Sequence, residues 1–457
     1  MPGPGGSRRS HTDMLIARKR LSPLVLALPA VAAVAAAVAL HGGGTSAPRP
    51  HHAAAPPIPF ASAAPRTLTT PQLVVRYRAE AAAKPRSAQA ADNLALAELQ
   101  MAREDGDPTW YTRADALFRH AVALAPDDFT ALAGQGSLAL SRHDFTGALA
   151  LGREALRIDS SSPYAMGVVV DANVELGRYA AARTAIERLL DQRPDLASYS
   201  RASYYLELHG RTGAARKALV QATQSGAPSG ENTAWAYLYL GNLDFNHGRY
   251  ADAAQSYRTA LHTDPGFLHA RAAQAKLAAA RGDYRRAIAG YSAVVARYPL
   301  PAYVIALGDV YRAAGKPAAA TRQYALVRAE ERLYAANGVN VDVELALFDD
   351  DHSGDVAGAL GRIRAVARIQ PSVTVEDALG WTLFKAGHPR AALAAANRAL
   401  RLGTHDSSFL YHRGAIEASL GMAGPAARDL RAALRLNPRF SLLYAPDARR
   451  LLQGLAS

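Results

Sequence analysis

Apolar and small residues along this chain fall into two patterns. One is a single uncharged run, residues 21–40, inside "MLIARKRLSPLVLALPAVAAVAAAVALHGGG". The other is a phrase that returns. "HGRYADAAQSYRTALHTDP" at 247–265 comes back as "RGDYRRAIAGYSAVVARYP" at 281–299 and, more loosely, as "LGMAGPAARDLRAALRLNP" at 420–438. Each copy reads as a short turn, a helix and a proline stop. A catalytic motif normally appears once, whereas a recurring phrase is architecture.

Aligned on G-x-Y-x-x-A-x-x-x-Y-x-x-A-x-x-x-x-P, one small residue recurs at Ala114, Ala148, Ala182, Ala215, Ala253, Ala287, Ala320, Ala359, Ala392 and Ala426. Their spacings are 34, 34, 33, 38, 34, 33, 39, 33 and 34. Five residues before the alanine stand Gly177, Gly210, Gly248, Gly282, Gly315, Gly354, Gly387 and Gly421. Twelve residues after it come Pro126, Pro194, Pro265, Pro299, Pro371 and Pro438. Small residues let two helices cross closely, where a larger side chain would overpack. Glycine permits the positive φ common where a helix ends, and proline prevents the second helix from continuing. One helix pair cannot bury its apolar stripe, so neighbours must stack into a continuous core. The spacings of 38 and 39 place insertions near 225–233 and 333–339.

This pattern resembles the tetratricopeptide repeat, a helix–turn–helix unit of about 34 residues. The small residue of the family's first helix appears as Gly136, Gly241, Gly308, Gly380 and Gly414, and its second-helix aromatic as Phe118, Tyr257, Tyr291 and Tyr324. Departures include Gly152 and Ala396 at the aromatic position, and Ser160, Ala227, Arg332 and Thr404 at the closing proline. The resemblance implies an all-α fold, a right-handed α-solenoid of about ten repeats over residues 91–440. Leu442, Leu443, Leu451 and Leu452 make residues 441–457 a capping helix over the last repeat.

The run at 21–40 changes the setting of that solenoid. Twenty helical residues span about 30 Å, the thickness of a bilayer core. Its five Leu and four Val contribute about −3 to −5 kcal/mol toward insertion. Arg18, Lys19 and Arg20 directly precede it and predict an inside N-terminus. We read residues 1–20 as a basic leader and 21–40 as a transmembrane signal-anchor. A cleaved signal peptide ending near Ala37-Val38-Ala39 is the alternative. Residues 41–90 read as a Pro/Ala/Gly-rich linker. The repeat body is then expected outside the cytoplasmic membrane, or secreted if the leader is cleaved.

Charge and composition narrow the chemistry. The net charge is +13, but residues 1–90 hold 11 basic and two acidic residues, leaving only +4 on the remaining 367. The body therefore lacks the basic surface that nucleic-acid binding needs. There is no cysteine, which removes disulfides, thiol catalysis and cysteine-ligated metals. No P-loop, strand-borne GxGxxG, HExxH or GxSxG occurs. In "DDDHSGD", 349–355, Asp349, Asp351, Ser353 and Gly354 match a calcium loop, but its twelfth position is Leu360. We expect no enzyme, no cofactor and no metal, and read that stretch as the inter-helix turn of its repeat.

The family resemblance points instead to the concave groove. The first-helix positions that face it hold Tyr164, Asp171, Glu175, Tyr204, Glu207, Trp235, Asn242, Phe245, Asn246, Lys276, Asp309, Arg312, Glu344, Asp351, Asp377, Trp381, Lys385 and Tyr411. Aromatic anchors among fixed polar groups make a peptide-binding surface if exposed. Acids outnumber bases here, which argues against clamping a chaperone's C-terminal carboxylate and favours a basic or polar extended segment. The function expected is a scaffold holding protein or peptide partners in the groove, with self-association into a homo-oligomer as the alternative.

Overall fold

Short polar turns divide the chain into antiparallel helices, and the turn chemistry sets where each begins and ends. The computed structural model describes residues 68–228 and 230–455. The leader, the segment at 21–40 and the linker as far as 67 lie outside the described residues. Among those described, no helix is long and apolar enough to cross a membrane.

The first element is α1 (Thr70–Ala83), a lone helix. Ten pairs follow, each with an inner helix and then an outer one. They are α2 (Ala88–Asp105) and α3 (Thr109–Leu124); α4 (Phe129–Ser141) and α5 (Phe145–Ile158); α6 (Pro163–Glu175) and α7 (Tyr179–Gln192); α8 (Leu196–Leu208) and α9 (Thr212–Ser225); and α10 (Glu231–Asn246) and α11 (Tyr250–Thr263). Next come α12 (Leu268–Ala280) and α13 (Tyr284–Val295); α14 (Pro301–Ala313) and α15 (Pro317–Ala336); α16 (Asp342–Phe348) and α17 (Val356–Ile369); α18 (Val373–Lys385) and α19 (Pro389–Ala399); and α20 (Ser407–Ser419) and α21 (Ala423–Leu436). The capping helix is α22 (Tyr444–Gly454). Each inner helix packs on its own outer helix and on its neighbours along the array.

The repeated positions do what their chemistry requires. All ten register alanines are buried, as are Phe118, Tyr257 and Tyr291. Gly241 lies under the Tyr257 ring, where a methyl group would sit 2.5 Å away, so only glycine fits. Ser87, Asp128, Asp195 and Asp406 accept backbone N–H groups at helix N-termini, satisfying donors that have no partner within the helix. The insertions near 225–233 and 333–339 appear as the loop after α9 and as the twenty-residue α15.

One helix falls where a linker was expected. Residues 41–90 were assigned to linker, yet α1 occupies Thr70–Ala83 and α2 begins at Ala88. Leu73, Tyr77 and Pro85 repeat the offsets of Ala114, Phe118 and Pro126, so α1 is the outer half of a repeat. Leu73 substitutes the small residue, which hid the match.

The solenoid winds tightly enough for its second superhelical turn to rest on its first. Tyr298 donates to the Arg103 carbonyl, and Arg142 to that of Asn337. Val373 N–H donates to Tyr179, Thr404 to the Leu208 carbonyl, and Asn437 to that of Phe245. These five pairs are separated by 192 to 196 residues. The inter-helix turn of each of repeats one to five thus meets the exit loop of the repeat five places on. In the second repeat His143 replaces the turn glycine and adopts φ 61, the one non-glycine positive φ among the described residues. That conformation costs about 1–2 kcal/mol, offset in part by its ring hydrogen bond to the Asn340 carbonyl.

Candidate functional site: the inner face of the solenoid

Close winding decides what the inner helices can offer. Helix periodicity puts the groove candidates on the inner face, but across a narrow axis that face meets itself. Twelve of them are buried: Tyr164, Asp171, Glu175, Trp235, Asn242, Phe245, Lys276, Asp309, Glu344, Asp377, Trp381 and Tyr411. Tyr204, Glu207, Asn246 and Asp351 are half-buried, and only Arg312 and Lys385 are exposed. Ten of the buried twelve join networks inside the protein, Tyr164 packs in the hydrophobic core and Glu344 is buried on α16; none presents surface to a ligand in this state.

In the first turn the networks centre on two buried guanidinium groups. Arg201 makes a two-point bond with Asp171, at 2.9 and 2.8 Å. Arg103 on α2 reaches Glu231 on α10 at 2.6 Å, joining the first repeat to the fifth across the axis. The same Glu231 carboxylate accepts from Trp235 Nε1 at 3.0 Å and from Gln100. Trp235 then packs edge-on against Phe267 and beside His269, whose ring bonds to Tyr303. Lys276 lies 4.3 Å above the Phe245 ring, a cation–π contact, and Asn242 accepts from Tyr257 at 2.9 Å. Tyr204 donates to Glu175, and Asn246 to Glu207. Burial, reinforced by nearby Asp171, lifts the Glu175 carboxyl to about 8. In the eighth repeat, burial, with Asp342 adding to it, lifts Glu344 to about 7.

The second turn builds a separate network around its aromatic residues. Trp381 stacks on His412 with centroids 4.3 Å apart, and Asp377 faces the same imidazole at 2.9 Å. Asp351 accepts from Trp381 Nε1 at 3.2 Å and from Tyr444 of α22, and pairs with Lys385 at 3.2 Å. Tyr444 also stacks on Tyr411, whose hydroxyl donates to Asp447 at 2.6 Å. The capping helix therefore packs a tyrosine against both Trp381 and Tyr411, which also touch each other. Asp309 accepts from Tyr324 at 2.6 Å, and burial pushes its carboxyl well above the ordinary range.

The acidic stretch 349–355 forms a π-helical turn, Asp349–Ser353, before Gly354 takes φ 77. Arg328 and Arg362 grip Asp349, Thr382 donates to Asp350, and Asp351 belongs to the Trp381 network. The three carboxylates diverge to separate partners and do not converge on one point.

Residues outside the predicted groove set carry much of this: Arg103, Arg201, Glu231, His269, His412 and Tyr444. A signal existed for some of them. Asp171 and Arg201 are 30 apart and Asp377 and His412 are 35 apart, so complementary groups stand about one repeat apart on successive inner helices.

The family is decided by the repeats themselves. Tetratricopeptide repeat models match residues 102–163, 139–203, 209–266, 238–300 and 272–331. The chain is a tetratricopeptide repeat protein. Repeats eight to ten lie beyond those matches, yet have the same paired-helix form. No match is found among curated proteins. Among solved structures, this tetratricopeptide repeat protein is similar to the human IFIT1 dimer with PPP-AAAA, at 16% identity over 69% of this chain and 73% of that one, TM-score 0.45. The APC/C hetero-tetramer Cut9-Hcn1 is similar at 13% identity, over 85% and 93%, TM-score 0.36. PilW, a type IV pilus biogenesis factor, is similar at 17%, over 45% and 94%, TM-score 0.38.

Proposed function

We propose that this tetratricopeptide repeat protein is an interaction scaffold that holds a protein or peptide partner at the mouth of its inner face. The observation that carries the reading is the exposure of Arg312 and Lys385, with Tyr204, Glu207 and Asn246 half-buried, at the ends of inner helices whose remaining side chains are locked inside. The buried aromatics serve the scaffold by fixing its curvature, and preorganisation lowers the ordering cost of association. Asp351 is engaged by Lys385, Trp381 and Tyr444, and Glu207 by Asn246, so exposed Arg312 leaves the accessible mouth basic and suited to an acidic segment. This reverses the preference for a basic segment that the sequence suggested.

The test is affinity capture from crosslinked cells, wild type beside an Arg312→Ala/Lys385→Gln variant of unchanged circular dichroism. A partner captured by the first and lost by the second supports the mouth as the contact surface. Equal capture by both overturns it. A Trp235→Ala/Trp381→Ala variant would report folding, since both indoles are core.

We also propose that residues 21–40 anchor the chain with its repeat body outside the cytoplasmic membrane. The uncharged run and its preceding cations support this. Recovery of the full chain in the soluble cytosolic fraction would overturn it.

A further inference from the structure

The turn-on-turn contact leaves two rims uncovered, and they are the two halves of that same contact. Where the second turn rests on the first, added methyl groups at Gly177 and Gly210 would lie 2.7 and 2.1 Å from the Pro371 and Gly403 carbonyl oxygens. At Gly282, Gly315, Gly354, Gly387 and Gly421 such a group would meet nothing within 4 Å among the described residues. Repeats six to ten therefore present, on an upper rim, the kind of turn that is covered in repeats one to five, with Arg439 alone reaching across to the Ala280 carbonyl beside the first of them. The exit loops of repeats one to five likewise form an open lower rim, equivalent to the loops that dock in repeats six to ten.

The two open rims carry opposite charge. The upper one bears Arg281, Arg312, Lys316, Lys385 and Arg390 against Asp283, Asp351 and Asp355. The lower one bears Asp127, Asp128, Asp159, Asp191, Asp195 and Asp264 against Arg157, Arg188, Arg193 and Arg271, a net acidic rim. The loops that dock inside the molecule are less acidic: "RYPLP" at 297–301 and "QPS" at 370–372 carry no acid, and Asp342 and Asp406 stand alone in theirs.

We propose that the upper rim is the docking surface for the lower rim of a second copy of this chain, stacked head to tail. This rests on the reading above that the basic mouth is the contact surface, and names its occupant. The geometry continues an interface already built five times within one molecule. Charge complementarity between the two rims gives the intermolecular contact its orientation and steers encounter. The contact is heterologous, so it generates rings or helical filaments instead of closed dimers.

Sedimentation velocity of the detergent-solubilised full chain tests this with two variants. Lys316→Glu/Arg390→Glu reverses the upper rim, and Asp127→Lys/Asp191→Lys reverses the lower. All four side chains are exposed. The wild type should associate with rising concentration. It should revert to monomer as salt rises from about 0.01 to about 1 M, over which the screening length falls from about 30 to about 3 Å. Each variant alone should remain monomeric, because its two rims then carry like charge. Mixing the two should restore association. A wild type that stays monomeric at low salt overturns the proposal, as does association that persists in both variants alone. If the wild type is monomeric while the Arg312→Ala/Lys385→Gln variant still loses a captured partner, the scaffold reading stands and only the self-stacking falls.

Discussion

The two superhelical turns are written in one repeat but live in different surroundings. The register position that holds Glu175 in the third repeat holds Lys385 in the ninth. Glu175 is buried beneath the second turn, whereas Lys385 stands exposed with nothing above its turn. Gly210 and Gly387 are also equivalent and both take positive φ, 66 and 79, yet only Gly210 is in contact with another turn. Local structure in this protein follows the repeat, while burial follows the position of that repeat along the superhelix. A residue's exposure in a solenoid is thus a property of pitch and radius, which accumulate from small rotations over many repeats.

The largest expected effect lies in the roofed turn. Arg201→Met leaves the Asp171 carboxylate buried without its guanidinium, and breaking such a pair costs about 3–5 kcal/mol. Arg450→Met removes an exposed pair with Asp447 of the open turn and should cost about 0–1 kcal/mol. Urea denaturation of both variants checks the contrast, and equal losses would break it. The next effect depends on pH. Glu175 sits at about 8 when folded against an ordinary 4.5. Near pH 4 both states hold the proton and nothing is lost. As pH rises towards 8 the unfolded chain releases its proton while the folded one retains it, so stability falls. Glu175→Gln should flatten this decline by about 1.4 kcal/mol for each pH unit between about 5 and 7. Parallel stability profiles of variant and wild type would remove Glu175 from the account.

The division between what was legible in the sequence and what was not follows the same line. The helix pairs, their turns and the ten buried alanines could be read because each depends on side chains recurring about every 34 residues. The contact between turns could not, because each bond joins a different side chain (Tyr298, Arg142, Thr404, Asn437 or Tyr179) to a main-chain group: the carbonyls of Arg103, Asn337, Leu208 and Phe245 and the amide of Val373. Every residue supplies such groups, so no pattern marks them. The burial of the candidate residues depends on how closely the inner face approaches itself, which no short stretch of sequence fixes. Arg103 bonding Glu231 across 128 residues has no local signature.

A glycine pair isolates the inter-turn contact from the backbone. Gly210→Ala and Gly387→Ala both force an L-residue into the left-handed region, at about 1–2 kcal/mol each. Gly210→Ala must in addition displace the Gly403 carbonyl, and overpacking of that kind costs about 1–3 kcal/mol more. The difference between the two melting curves therefore measures how firmly the second turn is seated. Equal shifts would mean that the turns separate easily in solution and that the buried inner face is open to partners after all.

The smallest effect tests a single rung of the ladder. Thr404 donates to the Leu208 carbonyl at 2.6 Å across the gap between turns. Thr404→Val keeps the shape and removes the hydroxyl, which should cost about 1 kcal/mol. Loss of that magnitude is small against global stability, so its clearest readout is local. Amides that open with the turns, at Gly210 and Arg211, should exchange faster in Thr404→Val, because sub-global opening reports the contacts broken in that step alone. The amides of Gly387 and His388, in a turn that nothing covers, should be unchanged. Acceleration at both places would instead mean that the superhelix loosens as one body, and that its two turns are coupled more tightly through the axis than across their rims.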